Sequence, residues 1–241
     1  MKETDEIPTT VNSKLDSYYQ EDIKNIKSLK RKLSHLHYIR VLSKFLDERK
    51  YAKILDIGCG TGSFLYQCEK RFRDFELHGF EYDGRLINQA TKNLKKSMIS
   101  QGNAEKISHE DAYFDVVTTF QVIEHIYNPE QMIAEIYRIL KPGGLLLITT
   151  PNLNGLGRLI SGDKWSGYRD DHVSLKGCEE WDIAIKKIGF ERLSMGSTFF
   201  SGIKLFKYVP FSILNNFLLV IFGWAPWKFG ESFVGVYVKP Q

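Results

Sequence analysis

The stretch Ile54-Leu55-Asp56-Ile57-Gly58-Cys59-Gly60-Thr61-Gly62 sets an acid near the end of a short apolar run and then a glycine at every second position. Glycines in that pattern let a backbone turn tightly and approach a ligand where side chains would stand in the way. A dinucleotide fold asks instead for GxGxxG, whose last glycine opens a helix under a pyrophosphate; counted from Gly58, that position is Ser63. The third glycine comes one residue early. A carboxylate at Asp56 repels phosphate and attracts an ammonium group, directly or through water, so the ligand implied near this loop is cationic. A tight structural turn accounts for many such matches on its own, and the context decides between the two.

Nineteen residues past Gly62 stands Glu81, within Leu77-His78-Gly79-Phe80-Glu81-Tyr82-Asp83, at the end of a second apolar run. A carboxylate there can accept the hydrogens of both ribose hydroxyls. Asp83 is the other acid in reach, but it lies two residues beyond the strand tip, with a turn expected to begin at Tyr82. Further on, Gln101-Gly102-Asn103-Ala104-Glu105 offers a side-chain amide suited to an adenine edge.

These residues need a scaffold that brings them to one end, and the hydrophobic periods supply one. Apolar residues recur at three- and four-residue steps from Ser17 to Glu48, which predicts one or two amphipathic helices. Beyond Lys53 the periods alternate. A strand at Lys53 to Ile57 precedes a helix at Ser63 to Arg71, a strand at Glu76 to Glu81 and a helix at Arg85 to Lys96. A strand at Asp115 to Phe120 and a helix at Pro129 to Leu140 follow. Pro142, Gly143 and Gly144 are expected to end that helix, and Leu145 to Thr150 reads as a strand buried on both faces. A helix at Glu179 to Lys187 and strands at Phe190 to Met195 and Ser232 to Lys239 complete the order. Such alternation predicts a parallel sheet covered by helices on both faces, with ligands at the carboxyl ends of its strands.

Composition narrows the function classes. A chain of 241 residues with 33 basic and 29 acidic side chains, a balance of +4, is long enough for one large domain with an appendage. From Glu21 to Lys53 ten Lys and Arg face four acids, but no interleaved aromatics or groove-reading motif accompany them, so a solvated helix face is expected and nucleic acid is not. Cys59, Cys68 and Cys178 form no CxxC pair, and neither a disulfide nor a metal site is expected. Met1 to Pro8 has no apolar run, so the expectation is no secretory signal and a cytoplasmic chain.

Taken together the motifs resemble the class I S-adenosylmethionine-dependent methyltransferases, from about Lys53 to Asn152. Residues 54 to 62 are similar to that family's first motif, Glu81 to its ribose-binding acid, and Gly102-Asn103-Ala104-Glu105 to its adenine-side segment. Phe114 to His125 resembles the fourth-strand segment that carries Glu-His in the small-molecule branch, and Arg138 to Gly144 the turn into the fifth strand. Asn103 departs from the pattern, since many relatives have Asp there. The resemblance implies a Rossmann-like α/β fold of seven mostly parallel strands with the last antiparallel, and S-adenosylmethionine as cofactor. It implies cofactor contacts from Asp56, Gly58, Cys59, Gly60, Gly62, Glu81, Tyr82, Asn103, Ala104 and Gln121. The nearest subgroup holds quinone, sugar and lipid methyltransferases, so a small or lipophilic acceptor is expected, methylated at oxygen.

Methyl transfer needs a base only when the acceptor must shed a proton. His125, just past the fourth strand and beside Glu124, is one candidate; His172, in Tyr168-Arg169-Asp170-Asp171-His172, is the other. An orienting role for the Glu124-His125 pair and a structural role for His172 remain open. Asn152 is a further residue expected near the acceptor, although turn chemistry explains Pro151-Asn152 equally. Tyr18 and Tyr19 are lid candidates, with packing as the plainer reading.

Residues 1–14 are expected to be a flexible tail, 15–50 an N-terminal helical cap, and 51–241 the catalytic domain with an apolar insertion at about 199–230. Within it, Tyr208 to Trp227 carries no charge over a length that matches a bilayer. Pro210, Asn215, Asn216, Gly223 and Pro226 interrupt it, and the flanking strands belong to one sheet, so the segment must fold back as a pocket lid or a peripheral membrane patch. A different class of function also stands: a S-adenosylmethionine-binding partner or sensor without turnover.

Overall fold

The computed structural model describes residues 29–46, 50–198, 217–218, 221 and 224–241. The expected tail, Tyr18, Tyr19 and most of the apolar segment 208–227 lie outside the described residues. Helix α1 (Leu29–Phe45) leads to strand β1 (Lys53–Ile57), followed by α2 (Ser63–Arg71), β2 (Glu76–Glu81), α3 (Gly84–Asn93), β3 (Met98–Gln101) and β4 (Phe114–Phe120). A 3-10 turn at Ile123–His125 then precedes α4 (Pro129–Ile139) and β5 (Leu140–Pro151). Short α5 (Leu156–Ser161), α6 (Cys178–Lys187), β6 (Glu191–Ser197) and β7 (Ser232–Val238) complete the order.

The strands form one sheet in the order β3-β2-β1-β4-β5-β7-β6. The β1, β2, β3, β4 and β5 pairings are parallel, and β7 runs antiparallel to both neighbours, β5 and β6. This is the expected seven-stranded α/β sheet with its last strand reversed. The chain steps outward from β1 through β2 to β3, then returns to place β4 on the other side of β1. Between β1 and β4 the direction of winding reverses, and in sheets of this kind ligands bind in the crevice at the carboxyl ends of the strands beside that point.

Side chains that alternate along each strand divide the core in two. Leu55, Ile57, Val117, Leu146 and Ile148 face Met132, Ile133 and Ile136 of α4 and Trp181 and Ile185 of α6. Ile54, Val116, Leu145 and Leu147 face Ile39 and Leu42 of α1, Phe64, Leu65 and Cys68 of α2, and Ala90 of α3. Fully buried runs such as Leu145 to Thr150 follow from helices on both faces.

Two boundaries differ from the sequence reading by more than two residues. Helix α3 ends at Asn93 rather than Lys96, because the Glu69 carboxylate accepts the N–H groups of Lys95, Lys96 and Ser97 at 2.8–3.0 Å and draws them out of the helix. Strand β5 starts at Leu140, ahead of the Pro-Gly-Gly turn. There the Gly143 N–H donates to the Lys239 carbonyl and the Lys239 N–H to Gly144, so the end of β7 holds the segment extended.

The ends of β6 and β7 meet, with Ser197 opposite Phe233 and bridged to Ala225. Ser197, before the apolar segment, and Ala225, near its end, thus lie side by side. Among the described residues, no helix is long and apolar enough to cross a membrane.

Gly79 in β2 shows how tightly the sheet closes under the glycine turn: an added Cβ would lie 2.7 Å from the Cys59 sulfur and 2.9 Å from Leu65. Gly79→Ala is expected to destabilise the fold by about 1–3 kcal/mol through overpacking. Urea unfolding should show a lowered midpoint with an unchanged slope.

Candidate active site

Three glycines in left-handed backbone geometry build the turn after β1: Gly58, Gly60 and Gly62, with φ of +68°, +54° and +82°. Side chains strain that geometry, and at two of the three positions space forbids them as well. A Cβ on Gly58 would lie 2.2 Å from Val122, and one on Gly62 would lie 2.6 Å from Leu94. Cys59 is engaged within the turn. Its N–H and that of Gly58 reach the Phe80 carbonyl, its own carbonyl accepts from Gly62, and its thiol is buried, which pushes its pKa up.

Glu81 ties the turn to the neighbouring strand. One oxygen of its carboxylate accepts the Gly60 N–H at 2.9 Å, and the other accepts from Tyr82 and Asp83 at 2.8 and 3.0 Å. A carboxylate has about four acceptor positions, so three are filled and one remains on the oxygen bonded to Gly60. Asp83 is occupied differently: it caps α3 through the Arg85 N–H and pairs with the Arg85 guanidinium at 2.7 Å. Tyr82 is 69% exposed, an aromatic face open at the strand tip.

Asp56 lies buried beneath this turn. The Thr118 hydroxyl donates to it at 2.7 Å. Desolvation raises its pKa to about 7, Thr118 opposes that, and the negative charge of Glu81 adds to it. A buried carboxylate under such pressure is relieved by a cationic neighbour.

At the end of β4, Gln121 holds φ +57°, a strained value for a residue with a side chain. Its N–H donates to the Thr149 carbonyl and its amide to the Thr149 hydroxyl, so the strain is locked in by β5. Asn103 is exposed and closes its own turn by accepting the Glu105 N–H at 2.8 Å. Ala104 buries its methyl group, so only its main chain can meet a ligand.

The two candidate histidines are brought together. Their rings meet edge to face with centroids 4.8 Å apart. His125 Nδ1 contacts the Asp171 carbonyl at 3.0 Å and its carboxylate at 3.3 Å; His172 Nδ1 contacts the Gly167 carbonyl at 2.7 Å. Burial lowers the pKa of both rings. Glu124 is buried beside them, accepts the Thr150 hydroxyl at 3.0 Å, and is raised by desolvation to about 7.

Asn152 does not face an acceptor. It is fully buried, donating to the Lys228 and Gly230 carbonyls at 2.8 Å each and accepting from Asn154. Its amide ties two loops together, as turn chemistry anticipated. Sequence reasoning missed Thr118, a hydroxyl inside an apolar strand, and a set of aromatic rings. Phe120 contacts Tyr38, Phe64 and His35, with centroids 4.8, 4.7 and 6.2 Å away, and Trp224 stacks on Tyr38 at 6.2 Å. The apolar periods of α1 and the uncharged segment that holds Trp224 were the signals for them.

Comparison with known proteins gives the family and the fold. A family model described as "Methyltransferase domain" matches residues 28–194. A probable S-adenosylmethionine-dependent methyltransferase of Mycolicibacterium smegmatis is 33% identical over 102 residues, 41% of this chain and 38% of the relative. The malonyl-[acyl-carrier protein] O-methyltransferase of Halalkalibacterium halodurans is 29% identical over 136 residues, 52% of this chain and 49% of the relative. The matches thus span less than half the length of both relatives. Among solved structures, a complex of the Haloferax volcanii Trm112 methyltransferase activator with a putative methyltransferase matches at TM-score 0.67 and 15% identity, covering 94% of this chain and 96% of that one.

Asp56 makes stability depend on pH. Its folded pKa, about 7, is above the unfolded value of about 3.9, so its contribution is full below the unfolded value and lost as pH rises through about 7. Asp56→Asn removes that loss. Thermal unfolding of the ligand-free protein should show the variant gaining stability relative to wild type between about pH 5 and about pH 8, by an amount on the order of a few kcal/mol. An equal difference at both pH values would contradict the burial of the charge.

Proposed function

The chain belongs to the class I S-adenosylmethionine-dependent methyltransferase family, and on that premise we propose that it methylates an oxygen of a small, lipophilic acceptor. The observation that carries this reading is the buried Asp56 carboxylate under a turn of three left-handed glycines, laced to Glu81. A ligand with a cationic amino-acid end and a ribose fits both acids. Asp56 is suited to hold the ammonium, directly or through water, and the free acceptor position of Glu81 to take a ribose hydroxyl. Both hydroxyls can be held only if the Gly60 bond yields.

Tyr82, Asn103 and Ala104 line the adenine side in this reading, and Gly58, Gly60, Gly62 and Gln121 supply backbone and amide contacts. Cys59 acts by shaping the turn. When bound, S-adenosylmethionine supplies an activated methyl group on a good leaving group. The protein's task is then to hold the acceptor in line, and positioning alone can contribute on the order of 7–11 kcal/mol.

The half-buried rings of Tyr38, Phe120 and Trp224 favour a lipophilic or planar acceptor. Trp224 belongs to the apolar segment 208–227, and its contact with α1 supports a lid over a membrane patch. A hydroxyl acceptor needs a proton acceptor, and His125 and His172 serve it. A carbonyl oxygen only accepts hydrogen bonds, so the Nδ1 contacts place the proton on Nδ1 and the lone pair on Nε2 in both rings.

Calorimetry with S-adenosylhomocysteine tests the cofactor site: Asp56→Ala and Gly60→Val are each expected to abolish binding, and wild-type affinity in both would overturn the assignment. A screen of quinols, sugars and lipid extracts with methyl-labelled cofactor tests the reaction. Micromolar cofactor binding without transfer to any of them would favour a binding or sensor module. With a hydroxyl acceptor, His125→Ala should lower turnover at least about tenfold.

A further inference from the structure

Beyond methyl transfer, we propose that Glu124, His125 and His172 form a binding site for a divalent transition-metal cation of the zinc or manganese type. Each offers one ligand atom, and the three atoms lie within 4.8 Å of one another. Two imidazoles and one carboxylate are a ligand set that such cations accept, with further positions open. Tetrahedral bonds of about 2.1 Å put ligand atoms about 3.4 Å apart, so the loops need close by little more than 1 Å.

The surroundings point the same way. A metal-binding histidine generally donates its other ring N–H to a carbonyl or carboxylate, which fixes the ring and leaves a lone pair for the ion. Both rings here do so. His125 Nδ1 is held by Asp171, through its carbonyl and its carboxylate, and His172 Nδ1 by the Gly167 carbonyl. Nε2 is the nitrogen left to ligate in each. Glu124 is 1% exposed and oriented by the Thr150 hydroxyl on Oε2. Its buried negative charge offsets that of a cation. Arg169 is the opposing charge nearby, and it is paired to Asp171 by two hydrogen bonds of 2.9 Å.

The three ligands come from two places in the chain: the 3-10 turn after β4 and the loop between α5 and α6. Cysteine spacing, which argued against a metal, was blind to this set. Coordination and proton acceptance draw on the same Nε2 lone pairs, so a bound ion replaces the base role of His125. Its remaining positions suit an oxygen donor of the acceptor, such as a hydroxyl or carboxylate.

Metal binding can be read without turnover, so its failure and that of the methyltransferase reading are distinguishable. The full chain, stripped with chelator, is titrated with zinc and manganese by calorimetry and with cobalt by absorption spectroscopy. One equivalent is expected to bind, with cobalt bands of nitrogen and oxygen ligation. His172→Ala and Glu124→Gln should each weaken binding at least about tenfold. His109→Ala, a histidine packed on His78 and Phe114, should leave it unchanged. Circular dichroism establishes that each variant is folded. Absence of stoichiometric binding, wild-type affinity in both ligand variants, or a thiolate-to-cobalt charge-transfer band would overturn the proposal.

Discussion

One hydrogen bond joins the parts of the crevice: the Gly60 N–H donates to the Glu81 carboxylate across the ends of two parallel strands. It fixes how far the glycine turn opens and which oxygen of Glu81 retains an acceptor position. It requires β1 and β2 to finish level, and their register, Ile57 opposite Phe80, provides that. Level strand ends in turn require Gly79, because Cys59 and Leu65 press against β2 from the turn side. A charge-assisted bond to a backbone N–H is stronger than a neutral one, so a carboxylate does more here than an amide would.

The fold was legible where the chain repeats itself. Strands and helices alternate from Lys53 to Pro151 except between β3 and β4, where no helix intervenes, and the change of hydrophobic period marks most boundaries to within a few residues. Where boundaries moved, a distant group moved them, as Glu69 does at the end of α3 and Lys239 at the start of β5. Neither effect has a local signature. Glu81 was preferred over Asp83 from position alone; in the structure Asp83 caps a helix, while Glu81 accepts from the glycine turn.

The histidine pair was less legible, because it is assembled from loops. His125 and His172 are 47 positions apart, and nothing periodic connects them. Their meeting depends on backbone carbonyls at Gly167 and Asp171, on the Asp171 carboxylate, and on Ser174, which donates to the Glu124 and Ile126 carbonyls. Asn152 carried a similar ambiguity. An amide beside a strand end suits a ligand or a loop junction equally, and only the carbonyls of Lys228 and Gly230 decide for the junction.

Asp56 and Glu124 share a condition that links the two halves of the site. Each is a carboxylate buried at the carboxyl end of the sheet, each accepts a threonine hydroxyl from an adjoining strand, and each is raised to about 7 by desolvation. A hydroxyl stabilises a buried carboxylate far less than a cation does, so both positions carry a cost in the isolated fold. A positively charged ligand at either acid offsets that cost, and the energy appears as affinity. The two acids need different cations. Asp56 sits under a glycine turn, whereas Glu124 sits beside two imidazoles, whose lone pairs an ammonium would leave unused and a metal ion would engage. The same physical condition, a desolvated carboxylate short of opposing charge, thus recurs at two places along the sheet's carboxyl end.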